Sequence, residues 1–233
     1  MKKTFRLMAI ASMALSLVGC GDLLEGLIED TEALAQEIED ISNGKLFQAE
    51  QATVEFENMG KIAFRNYGRD FYLEDVTLNN SDAEYYGAGK IVVTDGVAYM
   101  IDDENKVYTK IDYKNNEELG EVSESLAYSY ARIFVYMNET YKNAVKLGKI
   151  EASTTAVNLK SGTMTVAGKT CDYISYEEGK AFVKMAGYKR VIMYIEDTSS
   201  SEGSTVIKAK SFVETADANL FKVPEGYREI TEE

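Results

Sequence analysis

Few residues in this chain can carry chemistry. Its 233 residues include two Cys, no His and no Trp, against 39 Asp and Glu. Without His, Ser-His-Asp and Cys-His nucleophilic catalysis are excluded, as are zinc and haem sites that need an imidazole, and the usual general base near neutral pH is missing. Carboxylate chemistry survives, either as calcium binding or as a glycosidase acid/base pair. None of the 39 acids stands in a diagnostic spacing. The run Asp102-Asp103-Glu104-Asn105-Lys106 reads as a calcium loop or a solvated turn. It lacks the spaced Asp/Asn, central Gly and distal Glu of an EF-hand, which favours the turn. Cys171 reads as a small buried apolar side chain or as a reactive thiol, the former preferred. The expectation is therefore no catalytic residue, no metal, no cofactor and no enzyme, with a carboxylate-only hydrolase as the residual alternative.

Cys20 is different, because its surroundings specify a modification. Met1-Lys2-Lys3-Thr4-Phe5-Arg6 is a basic n-region, and an apolar stretch runs from Leu7 to Val18. That stretch is too short to span a bilayer, so residues 1–19 read as a removed export signal. Leu17-Val18-Gly19 followed by Cys20 resembles the bacterial lipobox. The resemblance implies a diacylglyceryl thioether on Cys20, cleavage before it, and acylation of the new amino terminus, with palmitate the expected acid. The competing reading is an ordinary secretory peptide with an incidental Cys. Gly21 follows Cys20 and Asp22 comes one place later, so the familiar inner-membrane retention signal, Asp directly after Cys, is absent.

Charge limits the partners. The full chain carries a formal −14, and removing residues 1–19 takes away Lys2, Lys3 and Arg6 and no acid, leaving −17. Such a surface repels nucleic acid and anionic headgroups. Acyl chains, each buried methylene worth about 0.8 kcal/mol, must then hold the protein on a membrane.

Outward from Cys20, residues 20–47 read as a lipidated tether. Within it, 22–42 form an acidic amphipathic helix: Leu24, Leu27/Ile28, Thr31, Leu34, Ile38 and Ile41 recur at helical spacing, and Asn43-Gly44 supplies the stop. This helix reads as a stalk, a short oligomerisation element or a partly frayed linker. Residues 48–233 read as one domain, of a size that buries roughly 70% of its surface without disulfides.

That domain shows period-two alternation. Strands are expected at 52–57, 62–65 and 71–78. Ile91–Thr94, Asp95-Gly96 and Val97–Ile101 make the clearest hairpin, and Val107–Ile111 follows. Thr163–Val166 and Lys169–Tyr176 flank Ala167-Gly168, and Ala181–Met185 and Arg190–Glu196 flank Ala186-Gly187. A polar loop at 198–204 precedes a strand at 206–214, and the only Pro, Pro224, fixes a turn near the end. A helical insertion is expected over about 117–147, its stripe including Tyr130, Phe134 and Met137. It either packs on the sheet or lids an apolar cavity. Strands at 97–101 and 191–195 are apolar on both faces, which predicts a sheet covered on both sides or curled around a cavity.

Three stretches in this order are similar to the lipoprotein-carrier superfamily (LolA/LolB-like) and its lipidated relatives: Lys90–Asp102, Val166–Tyr173 and Phe221–Tyr227. The resemblance covers about 48–230. It implies an α+β fold: a strongly curved antiparallel half-barrel with a covering helix, here preceded by the N-terminal acidic helix. It also implies an apolar cavity for a lipid or other greasy ligand, with Phe64, Tyr99, Met100, Tyr130, Phe134, Met137 and Met193 as the candidate lining. The chain departs from the family in that extra helix and in lacking the basic and His residues that carriers use. The resemblance also implies the outer membrane as the address, so the expected function is a lipoprotein of the cell envelope, on its periplasmic or surface face, that binds an apolar ligand without catalysis. The alternative is an accessory protein whose sheet edge or acidic helix docks a partner.

Overall fold

The computed structural model describes residues 32–75, 89–116, 128–147, 158–198 and 204–230. The expected export signal over 1–19, Cys20, residues 22–31 and 117–127, the end of the expected strand at 71–78 and most of the polar loop lie outside them. Within the described residues the protein is mostly β, with a few short helices.

Two up-and-down meanders build one twelve-stranded sheet. The first comprises β1 (Ala52–Phe56), β2 (Gly60–Arg65), β3 (Asp70–Asp75), β4 (Lys90–Thr94), β5 (Val97–Asp102) and β6 (Val107–Asp112). The second comprises β7 (Asn158–Val166), β8 (Lys169–Glu178), β9 (Ala181–Tyr188), β10 (Val191–Asp197) and β11 (Thr205–Val213). They join where β1 pairs with β11, in the order β12-β6-β5-β4-β3-β2-β1-β11-β10-β9-β8-β7. All neighbours are antiparallel except the two-residue β12 (Arg228–Glu229), which runs parallel to β6.

Turn chemistry accounts for the register. Asp95-Gly96 and Ala167-Gly168 have positive φ at both central positions, the type I′ geometry that matches strand twist. The third such turn is a correction. Ala186-Gly187 does not turn; both residues lie inside β9, and Lys189-Arg190 makes the I′ turn with φ of 50° and 62°. A glycine in that stretch suggests a turn, but Gly187 serves a packing contact instead.

The expected helix over 117–147 is also corrected within its described part. It is two helices, α2 (Ser129–Arg132) and α3 (Asn138–Leu147), separated by an extended piece. There Val135 bridges to Val191, Tyr136 N–H donates to the Arg190 carbonyl at 2.9 Å and Ile192 N–H to that of Phe134 at 2.9 Å. Backbone pairing with β10 wins over helical continuation.

Helix α1 (Glu32–Ser42) ends as its sequence predicts. Lys45 N–H donates to the Asp40 carbonyl and Gly44 N–H to that of Ile41, with Gly44 at φ 76°, a Schellman stop. The helix is docked on the domain. Leu34, Glu37 and Ile41 are buried, and Leu46 and Phe47 are wholly enclosed in the main core. The packed unit therefore includes residues assigned to the tether.

In β5 the two-sided pattern has a simple cause, whereas in β10 Val191, Ile192, Met193 and Ile195 all join the main core across a register shift between Ile192 and Tyr194. One face of the sheet carries the main core, from Ile62, Phe64 and Phe71 through to Met193 and Phe212. On the other face Ala63, Tyr72, Val92 and Ile101 are covered by the C-terminal segment through Phe221, with Leu220, Val223 and Tyr227 beside it. Both faces of the first meander are thus covered. The expected strong half-barrel curl is overturned: the sheet is not strongly curled.

Candidate functional site

The most elaborate polar arrangement lies where α1 meets α3 and the β9–β10 turn. Helix α3 begins after Met137, a residue unable to cap it, so its first N–H groups need an outside acceptor. Glu37 supplies one. Its Oε2 accepts from Thr140 N–H at 2.9 Å and Thr140 Oγ1 at 3.0 Å, and its Oε1 accepts from Glu139 N–H at 3.2 Å. The positive end of the α3 dipole adds to this. Arg190 closes the cluster: its Nε stands 3.7 Å from Glu37 Oε1 and its Nη1 donates to Asp40 Oδ2 at 3.0 Å. Glu37 is 1% and Arg190 5% exposed, so these charges are held out of water by one another.

Burial pulls the Asp40 carboxyl upward, but hydrogen bonds from Gln36 and Arg190 and the charges of Arg190 and Lys45 outweigh it and hold the group below its ordinary value. Beside the cluster, burial and then the Glu37 charge raise the Tyr141 hydroxyl well above the phenol range. That hydroxyl and Arg190 Nε are buried without a hydrogen-bond partner. Glu37 and Asp40 are a carboxylate pair, but their oxygens are committed to backbone N–H groups, a hydroxyl, an amide and cations. The arrangement clamps α1; it leaves neither group free for proton transfer.

The sequence contained a signal for this clamp. Glu37 falls three residues after Leu34 and four before Ile41, an acid on an apolar stripe. Arg190 gave none, because Lys-Arg is not a turn pair and a left-handed Arg is uncommon.

The candidate apolar lining divides. Phe64, Phe134, Met137 and Met193 are brought together in the main core, with Tyr130 half-buried at its margin. Phe64 packs on Phe47 with ring centroids 4.2 Å apart, and Phe134 sits 5.7 Å from Phe71 and 6.2 Å from Phe56. Their partners are other side chains of the chain itself. Tyr99 lies on the opposite face against Tyr108, under the C-terminal segment. Met100 points the same way as Ala98, half-buried beside Ile91. The seven residues therefore do not line one space.

Cys171 is fully buried on β8, its thiol directed at the Lys169 carbonyl 3.6 Å away, and burial pushes its pKa up to about 11. Asp102 accepts from Glu104 N–H, Asn105 N–H and Asn105 Nδ2 at 2.7–3.0 Å, so it closes its own turn. Among the described residues no group of three or more His, Cys, Asp or Glu converges as a metal site. No described helix is long and apolar enough to cross a membrane.

No protein-family model matches the chain, and no curated protein does. Among solved structures it is similar to an uncharacterised conserved protein from Thermus thermophilus, at 12% identity and a TM-score of 0.41, covering 84% of this chain and 98% of that one.

Proposed function

We infer that this chain is an envelope lipoprotein, held on the outer membrane through acyl chains on Cys20, whose folded unit works by contact with a protein partner rather than by catalysis. The carrying observation is the filled interior. Phe64, Phe134 and Met193, set where a greasy ligand would lie, are at most 4% exposed and pack on Phe47, Phe56, Phe71 and their neighbours. The anchor reading rests on the basic n-region, the short apolar run and Leu17-Val18-Gly19-Cys20. The deciding experiment is the native mass of the protein extracted in mild detergent. The expected species is a chain starting at residue 20, heavier by its covalent acyl groups, with no further lipid. An unmodified Cys20 would remove the anchor, and a retained non-covalent lipid would favour the second reading.

That second reading, a binder of lipid or another apolar ligand related to the lipoprotein carriers, has one observation in its favour. The piece carrying Phe134 and Met137 meets the sheet through the Val135 bridge and two backbone hydrogen bonds. Lifting it would uncover the rings of Phe56 and Phe71, which Phe134 now covers.

A further inference from the structure

The two outer edges of the sheet are treated differently. At one, β12 pairs with the start of β6, and Ile230 N–H donates to the Tyr108 carbonyl at 2.8 Å. At the other, among the described residues, no strand hydrogen-bonds to the outer side of β7, a nine-residue strand that α3 and β11 approach. Exposed edges are ordinarily blunted by charge, Pro, a bulge or short length. Strand β7 has no Pro and no acid, and its register with β8 is unbroken over all nine residues. Its one charge, Lys160, is tied back to Glu177 at 3.3 Å.

The register decides which groups face out. Ala167-Gly168 is a two-residue turn, so Val166 and Lys169 form the hydrogen-bonded pair that closes it. Alternation then turns the N–H and C=O of Leu159, Ser161, Thr163 and Thr165 away from β8. Ser161, Gly162, Thr163 and Thr165 are exposed.

We propose that this edge pairs with the same edge of a second copy, antiparallel about a two-fold axis at Gly162. That axis sets Ser161 opposite Thr163 of the other copy and Leu159 opposite Thr165, so all four outward residues find hydrogen-bonding partners. No other axis on β7 matches them all. Lys160 falls opposite Met164, so no like charges meet. This matters in a chain with 39 acidic and 25 basic residues, most of whose surface repels its own copy. Gly162, flanked by the Tyr173 ring, places no side chain at the crossing. The pairing is isologous and closes at two copies, which consumes the aggregation-prone edge. This inference does not rest on the lipid anchor or on either proposed function.

The test is amide hydrogen exchange of the full chain in detergent, read by residue and as a function of protein concentration, with a charge swap. Protection of the Ser161, Thr163 and Thr165 amides should rise with concentration. Ser161→Lys with Thr163→Lys should abolish it while the inward Gly162 and Met164 amides stay protected, which reports an intact β7–β8 ladder. Mixing that variant with a chain carrying Ser161→Glu and Thr163→Glu should restore it. Protection independent of concentration would mean another segment of the same chain covers the edge. That outcome, unprotected amides at every concentration, or protection indifferent to the lysines, would overturn the proposal.

Discussion

The ring of Tyr136 occupies the space where a side chain on Gly187 would stand. A Cβ built on that glycine would overlap Tyr136 Cβ, Cγ and Cδ1. The ring in turn meets Tyr141 edge-on, with centroids 5.0 Å apart. Gly187 is thus the notch that lets the piece between α2 and α3 lie flat on β9 and β10. The absence of one side chain makes room for the Tyr136 ring and so for the pairing of this piece with β10.

Gly187→Ala should therefore be costly although β9 accepts Ala elsewhere, at Ala186. Overpacking of this kind costs about 1–3 kcal/mol. The urea midpoint should fall accordingly. Because the two residues touch, Gly187→Ala combined with Tyr136→Ala should destabilise by less than the sum of the single changes.

Glu37→Ala should cost about 3–5 kcal/mol, since it leaves Arg190 buried without its inner partner and uncaps α3. Replacing both charges, Glu37→Leu with Arg190→Met, should cost less than Glu37→Ala alone. Denaturant unfolding of the three chains measures this. If the pair were no better than the single change, the clamp would not be electrostatic.

The depressed Asp40 carboxyl gives an acid-side prediction. In the unfolded chain an Asp takes up its proton near about 3.9. In the folded chain it does so at lower pH, so between these values the unfolded state holds more protons and stability falls as pH falls. Asp40's contribution should be complete above the unfolded value and lost as pH drops through the folded one. Asp40→Asn should flatten the stability profile in that acid window and leave its slope near neutrality unchanged.

Cys171 should resist alkylation in the folded protein at pH 8 and react fully in denaturant, read by mass mapping of its peptide. Its raised pKa also makes stability complete below the ordinary thiol value and lost as pH rises toward about 11. Fast labelling of the native protein would contradict its burial.

Much of the sheet could be read from the chain because strand alternation and Asp95-Gly96 or Ala167-Gly168 turns are local signals. Ala52, Val54 and Phe56 face the core as their spacing predicts. Gly187 misled because a glycine that yields to a ring and a glycine that turns the chain look alike in sequence. The broken helix was hidden for the same kind of reason. Tyr130, Phe134, Met137 and Tyr141 keep helical spacing, and only the long-range pairing of Val135 with Val191 overrides it. Phe64, Phe134, Met137 and Met193 are buried, but alternation cannot tell a side chain that lines a space from one that fills it. Nor could it show that Tyr99 and Phe134 lie on opposite faces, since the cover over Tyr99 comes from the far end of the chain.

The joining of β1 to β11 carries a consequence for biogenesis. When the polypeptide is delivered amino terminus first, the opening meander can zip up from neighbouring hairpins, yet the far side of its first ribbon must wait, unmated, until β11 emerges. Distant pairings of this sort are slow to form. During that interval the nascent protein has a sticky flank at its future middle, and a holdase or a fast exit of the remaining chain would be needed to shield it.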